Sequence, residues 1–274
     1  QFPQNVRLID NLFFQRGDEF FVGLGSVRGT SFYSNIFKYN PGADSWVQLP
    51  FEGPNRSFGW ATANYLGGGI RDLGRDPFLI NRNFDRFNGS SFVQLADMPF
   101  DSRESIAFEV GEFLFVIGGK EGNPQVGWRY ETSTGLWTQI AEAPFPIDQS
   151  LGSFTYQNER YFINSNGNIV KYIPFSDTWE EAGFFPGSTG QGYPIAQVIG
   201  DRVYVGAYRR ATEMWEWNME SRIWTAKNDV PGISQNLNGG YWVSDGFLYF
   251  LRVPELSVVG DQPLPLVKFD PSGI

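Results

Sequence analysis

The chain has 274 residues, a formal charge of -9 from 30 acidic against 21 basic residues, and neither cysteine nor histidine. This excludes disulfide frameworks, thiol nucleophiles, thiolate or imidazole metal sites and every Ser-His or Cys-His catalytic arrangement. The negative field also argues against nucleic acid as a partner. Aromatic residues at 17%, with 32 Gly and 17 Pro, fit an all-β chain with many turns, and no run of about 18 apolar residues is present to insert in a membrane.

Along the chain one pattern recurs: a charged residue, an aromatic, a short turn and a second aromatic. It runs from Lys38-Tyr39 to Trp46, from Arg129-Tyr130 to Trp137, from Lys171-Tyr172 to Trp179 and from Glu216-Trp217 to Trp224, with the second aromatic seven residues after the first each time. A shorter copy spans Arg86-Phe87 to Phe92, and a sixth begins at Lys268-Phe269. The first aromatics stand at 39, 87, 130, 172, 217 and 269, and Pro50, Pro99, Pro144, Pro186 and Pro231 follow the second ones. A period of this length marks a repeat architecture.

Each unit reads as four short strands. In the third, Glu104 to Val110, Phe113 to Ile117, Val126 to Tyr130 and Leu136 to Ile140 are strand-like, and Gly111-Glu112 is a tight turn. Asn158-Glu159, Gly200-Asp201 and Asp245-Gly246 occupy the equivalent turn elsewhere. Unit two is the weak one: Gly67-Gly68-Gly69 and Pro77 to Ile80 do not settle where its second strand lies. Four-stranded antiparallel units bury both faces only by stacking, and radial stacking leaves short protected edges. The expectation is a six-bladed β-propeller over residues 1–274. Trp46, Trp137, Trp179, Trp217 and Trp224 would pack between blades, with Trp60, Trp128, Trp215 and Trp242 off the main register and freer for other work. Five fourth strands are encoded rather than six, which reads as a fragment or processed part of a longer protein with adjoining domains.

Ile117-Gly118-Gly119, then Tyr130, then Trp137, resembles the kelch repeat of β-propellers, and the resemblance extends over nearly the whole chain as six units. The Gly-Gly doublet departs to Leu24-Gly25, Asn164-Ser165, Ala207-Tyr208 and Arg252-Val253, as in the divergent kelch-like units of bacterial surface and secreted proteins. The resemblance implies an extracellular or cell-surface location and a ligand face built by the loops that lead into each first strand. It places Arg7, Arg56, Ser57 and Arg103 on that face. The same loops carry Glu104, Gln149, Gln191, Gln235 and Asn236.

A guanidinium fork suits a carboxylate or sulfate. The competing reading has the arginines bonded to loop carbonyls or paired with Asp10, Asp101 and Glu104. The expected role is a non-enzymatic binding module for a carbohydrate or protein ligand, with no cofactor, metal or catalytic residue. Other readings are a sugar epimerase or mutarotase, which the resemblance also allows, and a structural spacer; Asp72 and Glu104 are the carboxylates that could serve an enzyme as acid and base.

Overall fold

The computed structural model describes residues 8–27, 31–72, 74, 78–230, 236–254 and 266–270, among which there is no helix. The chain is all-β, and six of its described sheets are the antiparallel blades of a β-propeller. Two compact units, divided between Asp148 and Gln149, carry three blades each. Blade 1 is Leu12–Arg16, Glu19–Gly23, Ile36–Asn40 and Ser45–Leu49. Blade 2 is Trp60–Ala61, Tyr65–Gly67, Phe84–Phe87 and Phe92–Gln94. Blade 3 is Ile106–Val110, Phe113–Ile117, Gly127–Glu131 and Leu136–Ile140. Blade 4 is Gly152–Tyr156, Glu159–Ile163, Asn168–Ile173 and Thr178–Phe184. Blade 5 is Ile195–Ile199, Arg202–Gly206, Met214–Asn218 and Trp224–Lys227. Blade 6 has three described strands, Asn236–Ser244, Phe247–Pro254 and Leu266–Phe269. Within each unit the first strands of successive blades are neighbours.

The recurring aromatics are cross-strand partners. Tyr39 faces Trp46, Tyr130 faces Trp137, Tyr172 faces Trp179, Trp217 faces Trp224 and Phe87 faces Phe92, with ring centroids 4.6–5.0 Å apart. Such pairs stabilise a sheet beyond the area they bury. The turn between them needs one residue in the left-handed region, five after the first aromatic. Asp44, Gly135, Asp177 and Arg222 stand there, with φ between 43° and 73°. Each aspartate then accepts the hydrogen bond of its own tyrosine, Tyr39 or Tyr172, at 2.7 Å, and Arg222 lies over the Trp217 ring at 5.4 Å.

In blades 1, 3, 4, 5 and 6 the charged residue that precedes the first aromatic also has a partner, at the start of the second strand. Lys38 meets Glu19 at 2.8 Å and Lys171 meets Glu159 at 3.0 Å. In blade 5 the signs are exchanged, with Glu216 near Arg202 at 3.8 Å. In blades 3 and 6 a phenylalanine replaces the acid, and Arg129 lies over Phe113 and Lys268 over Phe247 at 4.8 and 3.6 Å. The motif therefore records the sheet's own cross-strand chemistry.

The cores lie between consecutive blades. Phe14 and Phe21, stacked at 4.6 Å, receive the edge of Phe87 from blade 2. Phe84 of blade 2 meets Tyr130 and Trp137 of blade 3 at 5.2 and 5.4 Å. Phe154 and Tyr161 of blade 4 receive the edge of Trp217 from blade 5. Of the tryptophans expected to cement blades, Trp217 is buried, whereas Trp46, Trp137, Trp179 and Trp224 are half-buried on outer strands. Trp60 and Trp242, expected to be freer, are 2% and 0% exposed. Both sit on first strands, and Trp60 packs with Leu114, Val116 and Tyr130 of blade 3. Trp128 and Trp215 are half-buried.

The weak second unit is resolved by its glycines. Its second strand ends at Gly67, and Gly68-Gly69 is the doublet, at φ 64° and 84°, matching Gly118-Gly119 at 67° and 108°. Both doublets approach the neighbouring lead-in loop. Gly69 N–H donates to Ser102 O and Gly119 N–H to Ile147 O, both at 2.7 Å. A Cβ at Gly118 would stand 2.0 Å from Ile147 O and one at Gly69 would stand 2.5 Å from Ser57 O, so neither position admits a side chain. Blade 4 lacks the doublet because Asn164 to Gly167 turn directly into its third strand, with Gly167 N–H donating to Asn164 O at 2.9 Å. Its first turn is Gln157-Asn158, at φ 49° and 64°, one residue earlier than the spacing suggested. A small sheet of Leu8–Ile9, Ser26–Val27 and Ser31–Phe32 has no counterpart in the sequence reading.

Candidate functional site

The loops that lead into the first strands of blades 1, 2, 3 and 5 share one geometry. Two residues before the strand, Asp10, Phe58, Glu104 and Tyr193 take φ of 53–59°. Backbone bonds link these loops from blade to blade: Phe58 N–H to Asp10 O at 3.1 Å, Glu104 N–H to Phe58 O at 2.8 Å, and Tyr193 N–H to Ser150 O at 2.8 Å. The loops that would carry a ligand face are thus held on a rigid frame.

Arg56 does not face solvent. It is 0% exposed and donates to Gly68 O and Asn83 O, each at 3.3 Å, and to Asp85 Oδ2 at 3.0 Å. Asp85 is two residues before Phe87, where other blades place Phe37, Trp128, Val170 and Trp215. Burial depresses Arg56 to about 10 despite the neighbouring carboxylate, and burial likewise raises Asp85 despite the guanidinium. Desolvation therefore outweighs mutual attraction on both sides of this pair. Ser57 is also fully buried, and its backbone bridges Ile70. Both residues, expected as ligand contacts, are buried where the lead-in loop of blade 2 meets the Gly68-Gly69 doublet.

Arg103 is the arginine of this set that reaches the surface among the described residues, with 19% of its side chain exposed. Its Nε donates to Glu121 Oε1 at 2.6 Å, Glu104 lies 3.8 Å away and the guanidinium sits over the Phe78 ring at 5.0 Å. Glu104 is 5% exposed, so it is a buried left-handed corner rather than an acid presented to solvent. Two more ion pairs link loops here, Arg82 with Asp101 at 2.7 Å and Lys120 with Asp148. Arg82, Arg103 and Lys120 thus each have a carboxylate beside them, whereas Arg71 is exposed. Below it runs a chain of buried hydrogen bonds, Trp60 Nε1–H to Ser102 Oγ, Ser102 Oγ–H to Ser105 Oγ and Ser105 Oγ–H to Gly118 O, at 2.8–3.1 Å.

In the second unit Gln149 is half-buried and Gln191 is exposed. Arg7 and Gln235 lie outside the described residues, as does the side chain of Asn236. Sequence reasoning missed Arg252, which is 1% exposed and donates to Asn238 Oδ1 at 3.0 Å and to Ala207 O and Ala211 O at 3.4 and 3.3 Å. It does for the junction of blades 5 and 6 what Arg56 does in blade 2, and burial lowers its pKa.

A cleft of about 220 Å³ opens beside Arg103, among Phe100, Asp101, Glu121, Asn123 and Trp128. Trp128, the off-register tryptophan of blade 3, stacks on Phe100 at 5.0 Å with an interplanar angle of 11°. No protein-family model matches the chain, and no curated protein matches it significantly.

Proposed function

We propose that this chain is a kelch-like binding module which recognises a carbohydrate or protein ligand, without turnover, through the loop end of blades 2 and 3. The observation that carries this reading is the convergence at that end of an aromatic-walled cleft with Arg103-Glu121, Arg82-Asp101 and partly exposed Phe78. These groups stand on loops fixed by blade-to-blade backbone bonds, the preorganisation that a binding face requires. Support for the family is the doublet Gly118-Gly119 with Tyr130 and Trp137, joined now by Gly68-Gly69. The extracellular or cell-surface location rests on that same resemblance. The test is to screen the intact chain on glycan and peptide arrays beside Arg103→Ala. The reading predicts specific array ligands that Arg103→Ala loses while its melting temperature stays near wild type. No specific ligand on either array, or ligands that Arg103→Ala retains in full, would overturn it.

A further inference from the structure

The cleft beside Arg103 shows which chemistry it can hold. The Trp128-Phe100 stack supplies its apolar wall. Around that wall stand polar atoms that no described residue uses. Asp101 spends Oδ1 on Arg82 and Glu121 spends Oε1 on Arg103, which leaves Oδ2 and Oε2 as acceptors. Asn123 Oδ1 accepts the Gln125 N–H at 3.0 Å, which fixes the amide and leaves its NH2 to donate. The Trp128 indole N–H donates to no described residue. Two acceptors, a primary amide and an indole donor around an aromatic wall match a ring with an apolar face and hydroxyls at its edge.

Charge narrows the class. Each carboxylate is already balanced by an arginine at 2.6–2.7 Å, so the cleft holds no surplus of negative charge for an ammonium ligand. An anion would meet two carboxylates inside a chain of charge -9. The volume is below the roughly 300–1,000 Å³ of sites that enclose drug-sized ligands. It therefore suits a single ring unit rather than an extended chain.

We infer that the cleft lined by Trp128, Phe100, Asp101, Glu121 and Asn123 is a subsite for one uncharged, hydroxyl-rich sugar ring. This rests on the binding-module reading and makes it specific. The test is saturation-transfer NMR and calorimetry on the intact chain with the methyl glycosides of glucose, galactose, mannose and N-acetylglucosamine, beside choline and glucuronic acid. At least one glycoside should bind more tightly than both charged probes. Trp128→Ala should abolish that binding. Asn123→Asp, which keeps the acceptor for Gln125 but exchanges the NH2 donor for a charged carboxylate oxygen, should weaken it by about tenfold or more, at least the worth of one hydrogen bond.

Tighter binding of choline or glucuronic acid, or glycoside binding that survives both substitutions, overturns the inference. So does the absence of any glycoside binding. Array ligands lost in Arg103→Ala but kept in Trp128→Ala and Asn123→Asp would sink the sugar subsite and leave the binding module standing. An array without ligands would remove both.

Discussion

Arg56 shows why an arginine at a lead-in loop cannot be assigned to a ligand by register alone. Its guanidinium is sealed against Asp85 and two carbonyls, and burial shifts both partners away from their charged forms. Asp85→Asn strands a buried cation and should destabilise the chain by about 3–5 kcal/mol. The paired substitution Arg56→Met with Asp85→Leu removes both charges and should recover most of that loss, because well-packed apolar pairs replace buried ion pairs at little cost. Urea unfolding of the wild type and the two variants measures both outcomes. A double variant no more stable than Asp85→Asn would mean that the pair is worth more than its desolvation. Arg103 takes the opposite course, since its carboxylate partner sits on an exposed loop and leaves part of the side chain in water.

At the scale of the element, the repeat is written in cross-strand pairs. The spacing of seven residues was legible because a four-stranded blade must place the two aromatics opposite each other across a fixed turn. Blade 2 was illegible for a physical reason. Asp85 stands where other blades put an apolar residue, and a long excursion from Gly68 to Asn83 separates its second and third strands. Two-residue strands such as Leu8–Ile9 carry no period and could not be read at all. The depth of a tryptophan was equally hidden, because its strand position decides burial. Trp217→Ala, on a third strand at 1% exposure, should cost about 3–5 kcal/mol. Trp137→Ala, on a half-buried outer strand, should cost less. Equal losses in denaturant unfolding would contradict this ordering.

At the scale of the whole molecule, the buried phenols should lower stability as pH rises on the alkaline side. Burial raises Tyr161, Tyr204 and Tyr208, and for Tyr161 and Tyr204 the hydrogen bonds to Glu159 and Glu216 at 2.9 and 3.0 Å add to it. A folded-state pKa above the unfolded value stabilises fully below the unfolded value, near pH 10 for tyrosine, and that stabilisation is lost as pH rises. Arg56, lowered to about 10, works in the opposite direction over the same window. Tyrosinate absorbance should therefore rise in two steps, with the second coinciding with loss of tertiary structure. A single step near pH 10 in the folded chain would contradict the burial of these phenols.

The candidate binding face was only half legible in the sequence. The aligned loops pointed to Arg103, and the off-register position of Trp128 marked it as available. Nothing local shows that Phe100, 28 residues earlier, stacks on Trp128, or that Glu121 intercepts Arg103. Recognition at the loop end of blades 2 and 3 can be followed by hydrogen exchange and mass spectrometry, with and without the strongest array ligand. Slowed exchange is expected in peptides spanning 100–105 and 118–128. Protection confined to the turns between third and fourth strands, such as those around Phe175 and Ile223, would contradict it.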